Sequence, residues 1–461
     1  MPSVRTAPFL TCCLALAAIG RTDAAEKAYP LLAGAAPGEA VRVEAQLEVG
    51  GDVKLTDDGK PRSLRMSVSA QIDYDEKALD IRRDEKYPYR SARFYRRARA
   101  AIKIDEGGIE PALREERRLV VADESGGQVK LYSPSGPLTR EELDLIDLPA
   151  NSLLLDRLLP ERPVKIGDHW RHDDGLIAEL LCLDVVSQSD VESRLKEVSG
   201  DRARIELAGH VLGAVGGVAT EIEVKAKYRY DFQQRRVTGL GLLVKEKRAI
   251  GPVNTGLDVV AKLQLALGPA EDARELSDTA LAKLPLDPQP ELLALACQAP
   301  TKKFHIYHDR DWHLMADAGE LLALRFLDRG ELVAQCNVSS LADVEPGKEP
   351  TLATFQHDLE RSLGKSFERF VTVSEGTSSV GHHIYRVIAE GRVADLPIQW
   401  HYYLVADPEG HLAVFAFTVE AELVERLGEK DEALVATIEF VPRGKTGQPT
   451  SAAARPSRPR R

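Results

Sequence analysis

Eight of the eleven histidines fall between His305 and His411, and the densest chemical grouping is His308-Asp309-Arg310-Asp311-Trp312-His313. Imidazoles and carboxylates at short spacing are a donor set for a first-row divalent ion. The candidate metal ligands are His308, Asp311 and His313, with His382 added if the fold brings it near; His383 and His401 could join them. Such a site would support metal-dependent hydrolysis. His169, His172 and Asp173 beside Trp170 form a smaller grouping of the same kind. The competing reading, and the commoner one, is of histidines at the surface and turns of an acidic protein. No H-E-x-x-H, Walker A loop, EF-hand loop, G-x-S-x-G or C-x-x-C occurs. No catalytic residue and no cofactor is therefore assigned. Gly209, Gly213, Gly216 and Gly217 lie between two alternating runs, so they read as a hairpin connection and not a phosphate loop.

The elements that would have to position these groups are bounded by composition. The chain has 461 residues, enough for two large domains. A 43% hydrophobic, 29% charged composition excludes a wholly disordered chain. The net charge of −11 and the 6% aromatic content speak against nucleic acid as a partner. Past residue 30 no apolar run approaches the roughly 20 residues that cross a bilayer, so no transmembrane span is expected after signal removal.

Met1 to Ala24 reads as a secretory signal peptide. Arg5 precedes an apolar run from Ala7 to Gly20, and small residues follow. The mature chain is expected to begin between Arg21 and Glu26 and to be periplasmic or secreted. Lipid attachment at Cys12 or Cys13 is disfavoured because most of the apolar run follows them. Cys182, Cys297 and Cys336 then remain, an odd number that is no disulfide framework. One bond (Cys297 with Cys336 being the nearest pair) or three small buried hydrophobes are the alternatives, the second preferred.

Residues 30–268 read as an antiparallel β-rich domain. Val41 to Val49 and Leu64 to Tyr74 alternate apolar with polar around Asp58-Gly59, a hairpin pattern, and the period of two returns from Arg202 to Leu267. The basic stretch Arg82 to Lys103 carries a partial helical stripe at Ala92, Tyr95 and Ala98. It reads as a solvated helix face paired with nearby acidic strands. Thr139 with Glu142 forms a capping box, and Asn151 to Leu159 is a second short helix suited to cover the apolar sheet face. Residues 269–301 form a proline-rich linker with short helices. Residues 302–442 form a second domain, in which Leu352, Phe355, Leu359 and Leu363 stripe one helix and Gly364 ends it. Residues 443–461, with six basic and no acidic residues, form a disordered basic tail.

The second domain resembles the PsbP and DcrB-like superfamily. The likeness is carried by the opener FHIYHDRDWHL (Phe304 to Leu314), the helix after the first hairpin, and the WHYYLV-turn-HLAVFAFTV hairpin (Trp400 to Val419). Family openers often place Pro shortly before the Trp, where this chain has Asp311. The Leu158 to Trp170 opener and its meander are similar to an exported bacterial β-domain of unknown function. The resemblance implies an α-β-α sandwich and an accessory, non-enzymatic role. The expected fold class is α+β: a long-stranded antiparallel sheet with covering helices, then the sandwich. The expected function is an exported binding or accessory protein of the bacterial envelope, its partner an envelope protein or an apolar small ligand. The alternatives are a lipid- or lipoprotein-carrier-like β-domain and the metal-dependent hydrolase.

Overall fold

The computed structural model describes residues 27–34, 38–57, 60–81, 88–124, 128–298, 303–318 and 321–441. The expected signal peptide, the expected Asp58-Gly59 turn and the expected basic tail lie outside them.

Alternation of apolar and polar residues builds the first half. In Val218–Asp231, Ile222, Val224, Ala226, Tyr228 and Tyr230 are buried, while Glu221, Lys225, Lys227 and Arg229 face water. Ladders of this kind join thirteen strands into one sheet. Its left part contains Ala40–Asp57, Lys60–Ile81 and Pro88–Ile104; its right part contains Arg202–Val215, Val218–Asp231, Arg236–Arg248 and Gly256–Pro269. The parts meet at a seam where Ala40–Asp57 pairs antiparallel with Gly256–Pro269, Val41 opposite Pro269 and Lys54 opposite Gly256.

The apolar face of this sheet is filled. The 3-10 segment Ser152–Leu158 buries Leu153, Leu154, Leu155 and Leu158 against it. The seven-residue helices Arg140–Ile146 and Asp174–Leu180 add Leu143, Leu145, Ile146, Leu176, Ile177 and Leu180 to the same cluster. Burying each such side chain favours folding by about 1.5–3 kcal/mol. Asn151 caps the 3-10 segment by accepting from the Leu153 amide at 3.2 Å. At its other end the Leu158 carbonyl accepts from Trp170 Nε1 (2.9 Å) and Tyr228 OH (3.0 Å). The expected capping box is present, with Thr139 and Glu142 bonded reciprocally.

Two expectations are corrected. The basic stretch is not helical: Pro88–Ile104 is a strand, paired with Lys60–Ile81. Its register slips at Arg96, with Tyr95 opposite Tyr74 and Arg97 opposite Asp73. That bulge sets buried Tyr95 and Ala98 three residues apart and so imitates a helical stripe. Its arginines do meet acidic groups of the neighbouring strand: Arg93 pairs with Glu76 at 2.8 Å and Arg96 with Asp75 at 2.6 Å.

The fold class is also not α+β. Among the described residues strands make up 55% and helices 16%; large antiparallel sheets dominate, and the expected balance of sheet with covering helices and an α-β-α sandwich is not formed. The second half is built on a seven-stranded antiparallel sheet whose path ends with Glu331–Ser340, Leu412–Glu420, Leu396–Ala406, His383–Val393 and Phe367–Thr377. Its helix Leu352–Leu363 packs Phe355 and Leu359 on Tyr385, Val387 and Leu404. The opposite face receives Leu427, Leu434 and Val435 from the four- and six-residue helices Val424–Leu427 and Lys430–Val435. Leu295–Gln298, Phe304–His308 and Glu439–Phe440 form a separate three-stranded sheet. Cys297 and Cys336 are buried in one apolar cluster, while Cys182 is exposed.

Candidate functional site

The 308–313 segment lies where the two halves meet. Phe304–His308 ends at His308, and Trp312–Ala318 begins at Trp312. Asp309 makes the turn between them by accepting from the Asp311 amide at 3.1 Å. At the turn Arg310 reaches into the first half: Nε donates to the Leu293 carbonyl (3.2 Å) and an Nη to the Leu131 carbonyl (2.6 Å). Arg325 likewise donates to the Pro252 carbonyl, and Leu138 bridges to Leu295 in parallel.

Between the halves is a cleft of about 870 Å³. One wall carries Arg140, Asp144 and Asp147; the second half contributes Arg310, Asp311 and His313. The Asp147 residue is exposed to the cleft yet ringed by protein, and burial pushes its carboxyl up to about 6, against the pull of Arg310 and with the help of Asp144. Burial also raises Asp144 and, with Asp309 adding and Lys430 opposing, Asp311. His313 is pushed down to about 4 by burial, with Arg140 and His308 adding. At neutral pH the cleft therefore holds a neutral imidazole among carboxylates and guanidinium groups.

The expected metal ligands do not converge. His308 is buried and bonded through Nδ1 to the Asp309 carbonyl at 2.7 Å. Asp311 and His313 line the cleft, and Asp311 is 3.6 Å from Lys430 Nζ. His382 packs edge-on to Phe440, with ring centroids 5.3 Å apart. His383 faces Glu349 at 3.3 Å. His401 is buried against Asp431, Nδ1 to Oδ2 2.6 Å, and Tyr403 donates to the same oxygen at 2.7 Å. Burial works against the Asp431 charge, but the hydrogen bonds from His401 and Tyr403 outweigh it and hold its pKa below the ordinary value. His169 meets Glu192 (2.9 Å) and His172 meets Ser193 (2.8 Å). Among the described residues no group of three or more His, Cys, Asp or Glu is placed to hold a metal ion.

Sequence reasoning missed Asp144, Asp147 and the bridging role of Arg310. Arg310 stood inside the motif as a spacer between candidate ligands. The two aspartates sit at and beside the end of a capped helix, where nothing in the spacing links them to residue 310.

No family model matches the chain, and no curated protein matches it. Among the described residues no helix is long and apolar enough to cross a membrane. Solved structures match parts of the chain at low similarity. A protein of Bacteroides thetaiotaomicron VPI-5482 is 14% identical, with TM-score 0.22, over 31% of this chain. The chain spans 46% of that protein's length. Lipovitellin, from a structure of lipid-protein interactions, is 8% identical with TM-score 0.32, over 52% of this chain and 26% of that one. Cyanobacterial PsbP from Synechocystis sp. PCC 6803 is 10% identical with TM-score 0.25, over 32% of this chain and 92% of that one.

Proposed function

We propose that the chain is an exported, non-enzymatic binding or accessory protein of the bacterial envelope, periplasmic or secreted, which receives its partner in the cleft between its halves. The cleft carries the reading. Both halves supply charged groups to this one volume, and half-buried Arg310 ties the halves together there. Such junctions are favoured positions for binding sites. A lipid-carrier reading would use the apolar face of the long sheet, but Leu153, Leu154, Leu155 and Leu158 occupy it.

The test is a photo-reactive phenylalanine analogue placed at Leu314 on the cleft wall, or at remote, exposed Ile109 as control. The full precursor is expressed in a bacterium and fractionated before irradiation. The expected result is a periplasmic or secreted mature chain starting between Arg21 and Glu26, with a discrete adduct from position 314 only. Cytoplasmic retention with Phe9 and Leu10 still attached would overturn the export reading. Identical adducts from both positions would overturn the cleft.

A further inference from the structure

A second pocket of about 640 Å³ shares no lining residue with the cleft. Its size is that of small-molecule sites, which are mostly apolar with a few placed polar groups. The wall is of that kind: Trp312 and Leu434 are buried there, and Pro137, Leu292, Ala433 and Ala436 complete it. Of the charged groups that line it, Lys430 is engaged with Asp309 at 2.5 Å and Glu439 with the Tyr307 hydroxyl at 3.0 Å, while Glu291 is exposed to water. An anion would find no free counter-charge among them, and a cation only the solvent-screened Glu291.

One polar atom differs. His308 lines the pocket and is 4% exposed. Its Nδ1 lies 2.7 Å from the Asp309 carbonyl oxygen, which can only accept. Nδ1 therefore carries the proton, and Nε2 of the neutral ring is left as an acceptor. Burial, with the Arg140 charge adding, holds the ring below its ordinary pKa and so keeps it neutral. Among the described residues nothing donates to that nitrogen. The atom is not sealed from solvent, and a ligand donor reaching it in the pocket would take the place of water.

We propose that this pocket binds a small, uncharged, largely apolar molecule bearing one hydrogen-bond donor, a hydroxyl or amide N–H, which His308 Nε2 accepts. The site is separate from the cleft, so either reading can fail without the other.

The full mature chain is titrated calorimetrically with 1-naphthol and with 1-methoxynaphthalene, which has the same ring system and no donor. The expected result is saturable one-to-one binding of 1-naphthol, about tenfold tighter than the methyl ether, the worth of one hydrogen bond. Ala433→Trp, at an exposed helical position on the pocket wall, is expected to abolish binding of both with the thermal transition retained. His308→Leu is expected to bind both probes equally. Wild-type protein that does not distinguish the probes, or binding that survives Ala433→Trp, overturns the proposal. If His308→Leu does not fold, those two measurements decide.

Discussion

Gly217 and Gly330 stand backbone against backbone across the junction of the two halves. A Cβ on Gly217 would lie 2.1 Å from the Gly330 carbonyl oxygen, and one on Gly330 would lie 2.3 Å from the Gly217 Cα. Each closes a two-residue hairpin turn with both residues at positive φ: 56° and 72° at Gly216-Gly217, 51° and 78° at Arg329-Gly330. Glycine is required at 217 and 330 twice over, by the dihedral and by the contact.

Gly330→Ala should therefore destabilise the protein by about 1–3 kcal/mol, combining backbone strain with the steric contact. Gly347, at φ 73° with open space around it, is the control. Gly347→Ala should cost only about 1 kcal/mol. Urea denaturation of the two variants reads the difference, and equal losses would show that the turns do not bear on each other.

Arg93 should be among the most sensitive side chains in the first half. It is 2% exposed, donates to Glu76 and reaches the Ser152 hydroxyl at 3.1 Å, tying the sheet to the segment that covers it. Arg93→Met would leave Glu76 buried without its cation, a loss of about 3–5 kcal/mol. Adding Glu76→Gln should restore part of it. Burial disfavours the Glu76 charge, but Arg93 and the hydrogen bonds to it outweigh that and lower its pKa below the ordinary 4.5. Its contribution is thus full above about pH 4.5 and lost as pH falls through the lowered value. Guanidinium denaturation of the single and double variants at pH 7 and pH 4 checks both statements.

Glu179 should act in the opposite sense. Its Oε2 is buried with no hydrogen-bond partner among the described residues. Burial and the nearby Glu124 charge push its carboxyl up to about 7, against Arg157. The folded state therefore holds the proton more tightly than the unfolded one. The favourable contribution is complete below about pH 4.5 and is lost as pH rises to about 7. Glu179→Gln should stabilise the protein at pH 8 by roughly 1 kcal/mol, a figure reduced for solvent screening, and do little at pH 4.5. Thermal melts at both pH values are the measurement; equal shifts would exclude the titration.

Residues 269–301 carry a specific tether. The Leu286 carbonyl accepts from the Tyr132 hydroxyl at 2.6 Å and from Arg90 at 2.5 Å. Tyr132→Phe should speed limited proteolysis between Pro285 and Pro290 several-fold, with a global stability loss of only about 1 kcal/mol. Unchanged cleavage would mean that packing alone holds the segment.

The alternating strands were legible because one apolar and one wet face leave a period of two in the residues, as Thr220 to Phe232 shows. The hairpin at Gly216-Gly217 and the Thr139 cap were legible because each depends on neighbours in sequence. Pro88–Ile104 was misread because a bulge at Arg96 breaks the period, and a bulge is set by the partner strand. The sandwich expectation failed because element order says little about helix length: Val424–Leu427 and Lys430–Val435 are single turns or little more. At the candidate site, the motif at His308 to His313 singled out Asp311 and His313, which line the cleft, but did not show that the imidazoles stand apart. Whether imidazoles converge depends on the turn at Asp309 and on Arg310 crossing to Leu131, neither of which spacing encodes.

The seam between Ala40–Asp57 and Gly256–Pro269 sets an order of events for a chain that emerges N-terminus first. Ala40–Asp57 can zip onto Lys60–Ile81 early, through a local hairpin. Its other side must wait for Gly256–Pro269, the last strand of the sheet to be made. Until then it offers an open row of amides and carbonyls beside Val41, Val43 and Ala45, a template on which another chain could add. Pairings between strands so far apart in sequence form slowly. Closure of the seam is thus the step at which folding competes with self-association, and the one a holding chaperone would have to guard.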